Sequence, residues 1–304
     1  MPNAPDRESI FESLSLPVFS ILVAISLAIW WSPLTSSLAL ALRDDQYTHI
    51  LLILPISAAL IFIDWERPEP HGGLSVVLGP FLLVVAASVT FFTRWRAPFS
   101  PDERIAANML ALVVWWIAAF ILCFGLRASR RALFPLCFLF WLVPFPDFVL
   151  NPVVNLLQQG SAAAAHLLFT AAGVPVEQRG VLVYIPGLTL EVARECSSIR
   201  SSSMLIVTTM VLAQLLLRSP WRKALIILVA IPLSVAKNGL RIFTIAMLVT
   251  RVDPSFLTGR LHRQGGIIFF LIALAAIFVL IWILRRGEAA NHGVETTRAV
   301  STEI

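Results

Sequence analysis

Charge is what this chain has least of. Asp, Glu, Lys and Arg make up 13% of its 304 residues, against roughly 25% in an ordinary soluble domain. With 58% hydrophobic residues and a mean hydropathy of +0.84, a soluble fold is excluded and a polytopic membrane protein is expected. The formal net charge of +5 is small for the size and spread among short loops. It reads as orientation signal and site charge, and it leaves no patch for nucleic acid. Cysteine is equally sparse. Three residues, odd in number and far apart, build neither a disulfide framework nor a CxxC metal pair. The five histidines have no ligand spacing. HExxH, GxSxG, GxxxxGK[ST], GxGxxG and the EF-hand loop are all missing, which argues against a metalloprotease and an ATP-driven machine. No repeat of 20–50 residues and no separating linker is visible. Residues 1–286 are therefore expected to form one integral-membrane domain, and 287–304 a polar cytoplasmic tail without fixed structure. The opening Met1–Glu8 lacks a basic n-region and is not expected to be a cleaved leader.

What is abundant is long apolar sequence. A span needs about 20 mostly apolar residues, and candidates lie at 14–33, 48–63, 73–93, 106–126, 132–150, 197–217, 223–250 and 265–284. The expected fold is all-α, with about eight transmembrane helices. The stretch 150–172 mixes Asn151, Asn155, Gln158, Gln159 and His166 with Leu, Val and Ala. That composition suits one further interfacial or cavity-facing helix, entered after a break at Pro144 and Pro146.

Tight basic clusters set the orientation. Arg127/Arg130/Arg131, Arg218/Arg222/Lys223 and Arg285/Arg286 flank spans without a neighbouring acid, and the positive-inside rule puts them in the cytoplasm. Both termini then lie inside, provided 150–172 does not cross. The loops near 43–47, 94–105, 173–196 and 251–264 face out.

Against this background a few polar residues stand out. Cys196 sits in Glu191-Val-Ala-Arg-Glu-Cys-Ser-Ser-Ile-Arg200, where an outer loop enters a helix. Arg194, Arg200, the hydroxyls of Ser197 and Ser198 and the helix N-terminus all surround it, and positive charge favours the nucleophilic thiolate. Cys123 and Cys137 lie among bulky apolar residues and read as packed hydrophobes. Arg241, in Lys237-Asn-Gly-Leu-Arg241, falls inside a span, where a charge costs several kcal/mol and marks function. Lys237 divides between that reading and snorkelling to an interface. Asn238-Gly239 is expected to loosen the helix. His262 precedes the last span on the same face as Cys196. A loop histidine at the membrane surface is the plain reading, and a proton-exchanging partner for a cysteine the sharper one. Tyr47-Thr48-His49 reads equally as a functional pair or as an aromatic-belt residue with a chance neighbour. His71 is assigned to the cytoplasm, and Trp115, Trp116, Phe138 and Trp141 to lipid-facing or packing surface.

Taken in order, these segments resemble the exosortase/archaeosortase family of membrane transpeptidases. The resemblance rests on Glu191-Val-Ala-Arg-Glu-Cys-Ser197, Asn238-Gly-Leu-Arg241 and His262-Arg-Gln-Gly265. The lead-in is similar too: Leu156-Leu-Gln158, Gly173-Val-Pro-Val176, Gly180, Ile185-Pro-Gly187 and the early Tyr47-Thr-His49. It covers roughly residues 25 to 285. Ser198 stands where the family usually has glycine, which puts the sorting signal in question. The resemblance implies a catalytic set of Cys196, Arg241 and His262, with Arg194, Ser197, Ser198, Arg200 and Asn238 tuning it or holding substrate. It implies no metal and no organic cofactor. The expected partners are the lipid bilayer and exported proteins ending in a short motif such as Pro-Glu-Pro, one span and a basic cluster. The chain's own Pro68-Glu69-Pro70 is internal and on the predicted cytoplasmic side, so it is set aside. Two other readings stay open: a transporter with Lys237 and Arg241 along an anion path, and a non-enzymatic factor for envelope polysaccharide export.

The orientation has a direct check. In a protein whose other thiols are replaced, Cys123→Ser and Cys137→Ser, a membrane-impermeant maleimide is expected to label Cys196 on intact cells. Labelling only after permeabilisation would reverse the topology.

Overall fold

Backbone N–H and C=O groups have no partner in hydrocarbon other than each other, so apolar runs of this length become helices. A computed structural model describes residues 7–63, 73–95, 99–192, 199–253, 255 and 260–302. The fold is all-α and multi-pass. Four described helices are long and apolar enough to cross a membrane: Ser75–Trp95, Pro101–Arg131, Pro220–Arg251 and Gly266–Glu288. Two broken pairs qualify jointly, Ser15–Ile29 with Trp31–Arg43 and Leu133–Leu142 with Asp147–Ala171, while Ile50–Ile63 and Arg200–Leu216 are shorter. These segments overlie the eight expected stretches. Four of them are long and apolar enough to cross, or six when each broken pair counts as one span; two are shorter, and the stretch 150–172 belongs to a broken pair. The break falls at 143–146, at Pro144 and Pro146 as expected, so the expected stretch 132–150 runs a few residues past it.

The chain divides into two units, Met1–Leu150 and Asn151–Ile304. In the first, α1 (Arg7–Ile29) bends by 75° into α2 (Trp31–Arg43), and a short turn leads to α3 (Ile50–Ile63). α4 (Gly73–Trp95), α5 (Pro101–Arg131) and α6 (Leu133–Phe138) follow. α5 starts at a capping box. The Ser100 hydroxyl accepts from the Glu103 N–H, the Glu103 carboxylate accepts from the Ser100 N–H, and Pro101 occupies the first turn. Its middle is the core of the unit, with Met109, Leu112, Val113, Ala118 and Ala119 buried. Polar atoms here find partners on other helices, as a dry interior demands. Trp30 Nε1 donates to Thr90 Oγ1 at 3.1 Å, Trp116 Nε1 to Ser26 Oγ at 2.8 Å, and Asn108 Nδ2 to Thr93 Oγ1 at 3.2 Å. Trp115 Nε1 donates to the Leu22 carbonyl, so the paired tryptophans tie α5 to α1 rather than merely facing lipid. Cys123 is buried as expected, whereas Cys137 is exposed: α6 is only six residues long and turns that side outward.

The second unit contains most of α7 (Asp147–Ala171), then β1 (Glu177–Arg179), β2 (Leu182–Ile185) and β3 (Leu188–Glu191), then α8 (Ile199–Leu216), α9 (Pro220–Arg251) and α10 (Arg260–Thr302). The strands form an antiparallel meander in what was expected to be a plain loop. Pro186-Gly187 turns β2 into β3, with Gly187 at φ 81°, the left-handed conformation such a turn requires. One face of the meander packs Val183 and Ile185 on Ala162, Ala165 and Phe169 of α7 and Ala246 of α9. A second cluster joins Leu205 and Ala213 of α8, Ile226 and Ala230 of α9, and Ala273, Ile277 and Ile281 of α10.

α9 is continuous through Asn238-Gly239, so the glycine does not loosen it. Its role is contact. A Cβ on Gly239 would lie 2.5 Å from Ala164 Cβ and 3.0 Å from the α7 backbone, while Gly160 faces Val235 one turn away. Small residues let helices approach this closely in a membrane. The tail is also more ordered than expected. α10 runs on to Thr302, and the Glu288 carboxylate accepts from the backbone N–H groups of Arg218 and Ser219.

Gly239→Val is expected to lower stability by about 1–3 kcal/mol or more through overpacking against α7. Denaturant or thermal unfolding of the detergent-solubilised protein reads it against the parent.

Candidate functional site

α9 is a 32-residue helix that is uncharged between its basic ends, Arg222-Lys223 and Arg251, except for one short run. That run, Lys237-Asn-Gly-Leu-Arg241, sets Lys237 and Arg241 one turn apart on the same stripe, with Asn238 beside them. Lys237 is 7% exposed and Asn238 2% exposed. Two cations at this spacing repel each other, and burial denies both the solvation they have in water. The surrounding helices compensate in different ways. Lys237 Nζ donates to Ser201 Oγ, in the first turn of α8. Arg241 is half-buried, and its guanidinium reaches the start of α10, where Nη1 lies 3.9 Å from the position a Gly266 Cβ would take. Among the described residues Asn238 Nδ2 has no hydrogen-bond acceptor, and the buried Ser202 Oγ has no partner.

These contacts bring the polar stripe of α9 to the beginnings of two other helices. His262 falls in the first turn of α10, four residues before Gly266 and so on the same helix face; its side chain lies outside the described residues. Arg200 is the second residue of α8 and is exposed. Arg194, Cys196, Ser197 and Ser198 lie outside the described residues. The residues on either side of them are held in place. Val192 is buried, its N–H donates to the Val181 carbonyl at 3.0 Å, and its own carbonyl accepts from Gln158 Nε2 on α7. The far side is the α8 start, where Ser201 accepts from Lys237. Gln158 and Ser201 were not singled out from sequence. A glutamine inside an apolar helix and a run of three serines opening another were the available signals, and neither reveals its partner 34 or 36 residues away.

Tyr47 and His49 lie in the first unit and are described there alone. Both are buried, and His49 meets the Trp141 ring edge-on with centroids 5.7 Å apart. An interfacial belt is therefore the wrong reading for this pair. Burial pushes the Tyr47 phenol above its ordinary pKa, with Asp44 adding to the effect. Among the described residues no cluster of His, Cys, Asp and Glu could hold a metal ion.

The transmembrane exosortase family model matches residues 30–279, most of the chain. The chain belongs to this family. No curated protein and no solved structure matches it. The matched range contains Cys196, the Lys237–Arg241 run and His262, and it takes in segments of both units.

The Lys237–Ser201 contact predicts a non-additive pair. Ser201→Ala removes the hydroxyl and leaves a buried ammonium without its acceptor, expected to cost about 1–3 kcal/mol. Adding Lys237→Met removes the charge as well, and the double variant is expected to be more stable than Ser201→Ala alone. Unfolding midpoints of the two variants and the parent give the comparison.

Proposed function

We propose that the chain is a membrane-embedded cysteine transpeptidase. It cleaves C-terminal sorting signals of exported proteins on the outer face of the cell (inner) membrane. Cys196 is the nucleophile. Its thiolate attacks a scissile carbonyl carbon, and Arg241 steadies the thiolate and the oxyanion that forms. A fixed charge acts strongly in a water-poor site. The C–N bond then breaks, the departing amine takes a proton from His262, and the acyl group remains as a thioester on Cys196. An amine, a lipid nucleophile or water gives up its proton to His262, attacks the thioester and returns the thiolate. The reaction requires neither metal nor organic cofactor. Arg194, Ser197, Ser198 and Arg200 adjoin the nucleophile in sequence, and Asn238 offers the one amide donor on the α9 stripe. These are the residues we assign to substrate holding and thiolate tuning.

One observation carries this reading above the others: the same helix face that directs Arg241 to the start of α10, one turn from His262, ties Lys237 to the start of α8. Cys196 precedes Ile199 by three residues, so covalent reach alone keeps its Cα within about 11 Å of that helix start. Family membership supports the same chemistry. Substrates with a motif, one span and a basic tail fit an enzyme whose polar groups sit at the ends of otherwise apolar helices.

The decisive measurement is the size of a co-expressed candidate substrate in membranes. Cys196→Ala is expected to abolish conversion at a normal protein level, and unchanged conversion would overturn the proposal. Arg241→Gln is expected to lower kcat by about 10²–10³-fold, with Arg241→Lys retaining part of it. A transporter or an export factor would lose none of its function with Cys196→Ala.

A further inference from the structure

The opposite end of α9 holds a second cluster, unrelated to the proposed chemistry. Arg222 is the third residue of α9, and Arg241 lies nineteen residues further on, about 28 Å along the helix. That separation is close to the thickness of a hydrocarbon core. At the Arg222 end the α8–α9 turn and α10 come together. Arg222 Nη1 donates to the Leu284 carbonyl, and its guanidinium lies 3.4 Å from where a Gly287 Cβ would be. Glu288 accepts from the backbone of Arg218 and Ser219 at 3.1 and 2.8 Å. Two basic clusters more than sixty residues apart in sequence, Arg218/Arg222/Lys223 and Arg285/Arg286, therefore meet at one corner.

The charge there is lopsided. Among the described residues five cations face one carboxylate, Glu288, whose two oxygens are taken by backbone N–H groups. Lys223 Nζ is spent on Gln214 Oε1 at 2.8 Å, and Arg222 is buried, its Nε without an acceptor among the described residues. Arg218, Arg285 and Arg286 are exposed. Two exposed tryptophans complete the corner. Trp221 is 59% exposed with the Arg222 guanidinium 5.2 Å from its ring, and Trp282 is 53% exposed with Arg286 at 3.7 Å. Indole rings settle at the level of lipid headgroups, and an arginine stacked on such a ring is held at that depth.

The geometry points to a headgroup site for an anionic phospholipid at this corner, with Arg218, Arg285 and Arg286 binding the phosphate and Trp221 and Trp282 seated among the acyl-chain ends. Nothing in this inference depends on the transpeptidase reading. Arginine suits the role because its planar donors match phosphate oxygens pairwise. Each cation near an anionic surface contributes about a fivefold gain in affinity. The bound lipid would brace the α8–α9 turn against α10, at the end of the bundle away from Arg241.

The test uses the full chain in nanodiscs of phosphatidylcholine, with and without phosphatidylglycerol, and counts protein-bound lipid by native mass spectrometry. Wild type is expected to retain phosphatidylglycerol in preference to phosphatidylcholine. The triple variant Arg218→Gln, Arg285→Gln, Arg286→Gln is expected to lose that preference by on the order of 100-fold. It leaves the buried Arg222 contact intact, and the corresponding triple lysine variant, which keeps the charge without the paired planar donors, is expected to fall between the two. Inorganic phosphate is expected not to displace the lipid. Equal retention of both lipids by wild type, undiminished preference in the glutamine variant, or displacement by phosphate would each overturn the assignment.

Discussion

Placing two cations one turn apart in an apolar helix is unfavourable by several kcal/mol, and the second unit is organised around that cost. Lys237 is met by a hydroxyl from α8, and Arg241 reaches the start of α10. α7 closes the remaining side through Gly160 and Ala164 against Val235 and Gly239. Every helix of the unit is thus registered against one five-residue run. Replacing buried charges with well-packed apolar residues is often neutral or stabilising, so this run adds register to the unit more than it adds stability.

The first unit solves a related problem with neutral groups. Its buried indoles and amides are paired across helices, Trp30 with Thr90, Trp116 with Ser26 and Asn108 with Thr93. Each such bond contributes modestly, of the order of 1 kcal/mol, but each forbids a slip of one helix along another, because the donor would then be left alone in a dry interior. Packing in a bilayer has little hydrophobic drive between helices to draw on, so these bonds supply much of the register. α5, capped at Ser100 and buried through its middle, is the element that the others are registered to.

Much of this was legible in the sequence, for a simple reason. Twenty apolar residues have few alternatives to a helix, and the eight stretches were visible on that ground. The break at Pro144 and Pro146 was visible as well, although the apolar stretch 132–150 runs a few residues past it. The meander was not legible. Strands of three and four residues fall below any periodicity window, and only Gly180 and Pro186-Gly187 hinted at turns. Nor was α2, whose serines and threonine hide a helix that continues past a 75° bend. In the site, the residue types that stood out were the charged ones. Ser201, which accepts from Lys237, and Gln158, which holds the Val192 carbonyl, are ordinary residues made significant by helix packing, which no local pattern encodes.

Gly239 lies between Asn238 and Arg241 and touches the α7 backbone more closely than any side chain would allow. The run that carries the charges therefore also carries the tightest helix crossing in its unit, and no boundary separates the two roles. Substitutions at Gly239 would disturb the polar stripe through packing alone, although that position carries no side chain of its own. Conversely, a change that eases α7 away from α9 would turn the whole stripe without altering a single polar atom on it. The spacing between α7 and α9 therefore constrains this stripe alongside the identities of its polar residues.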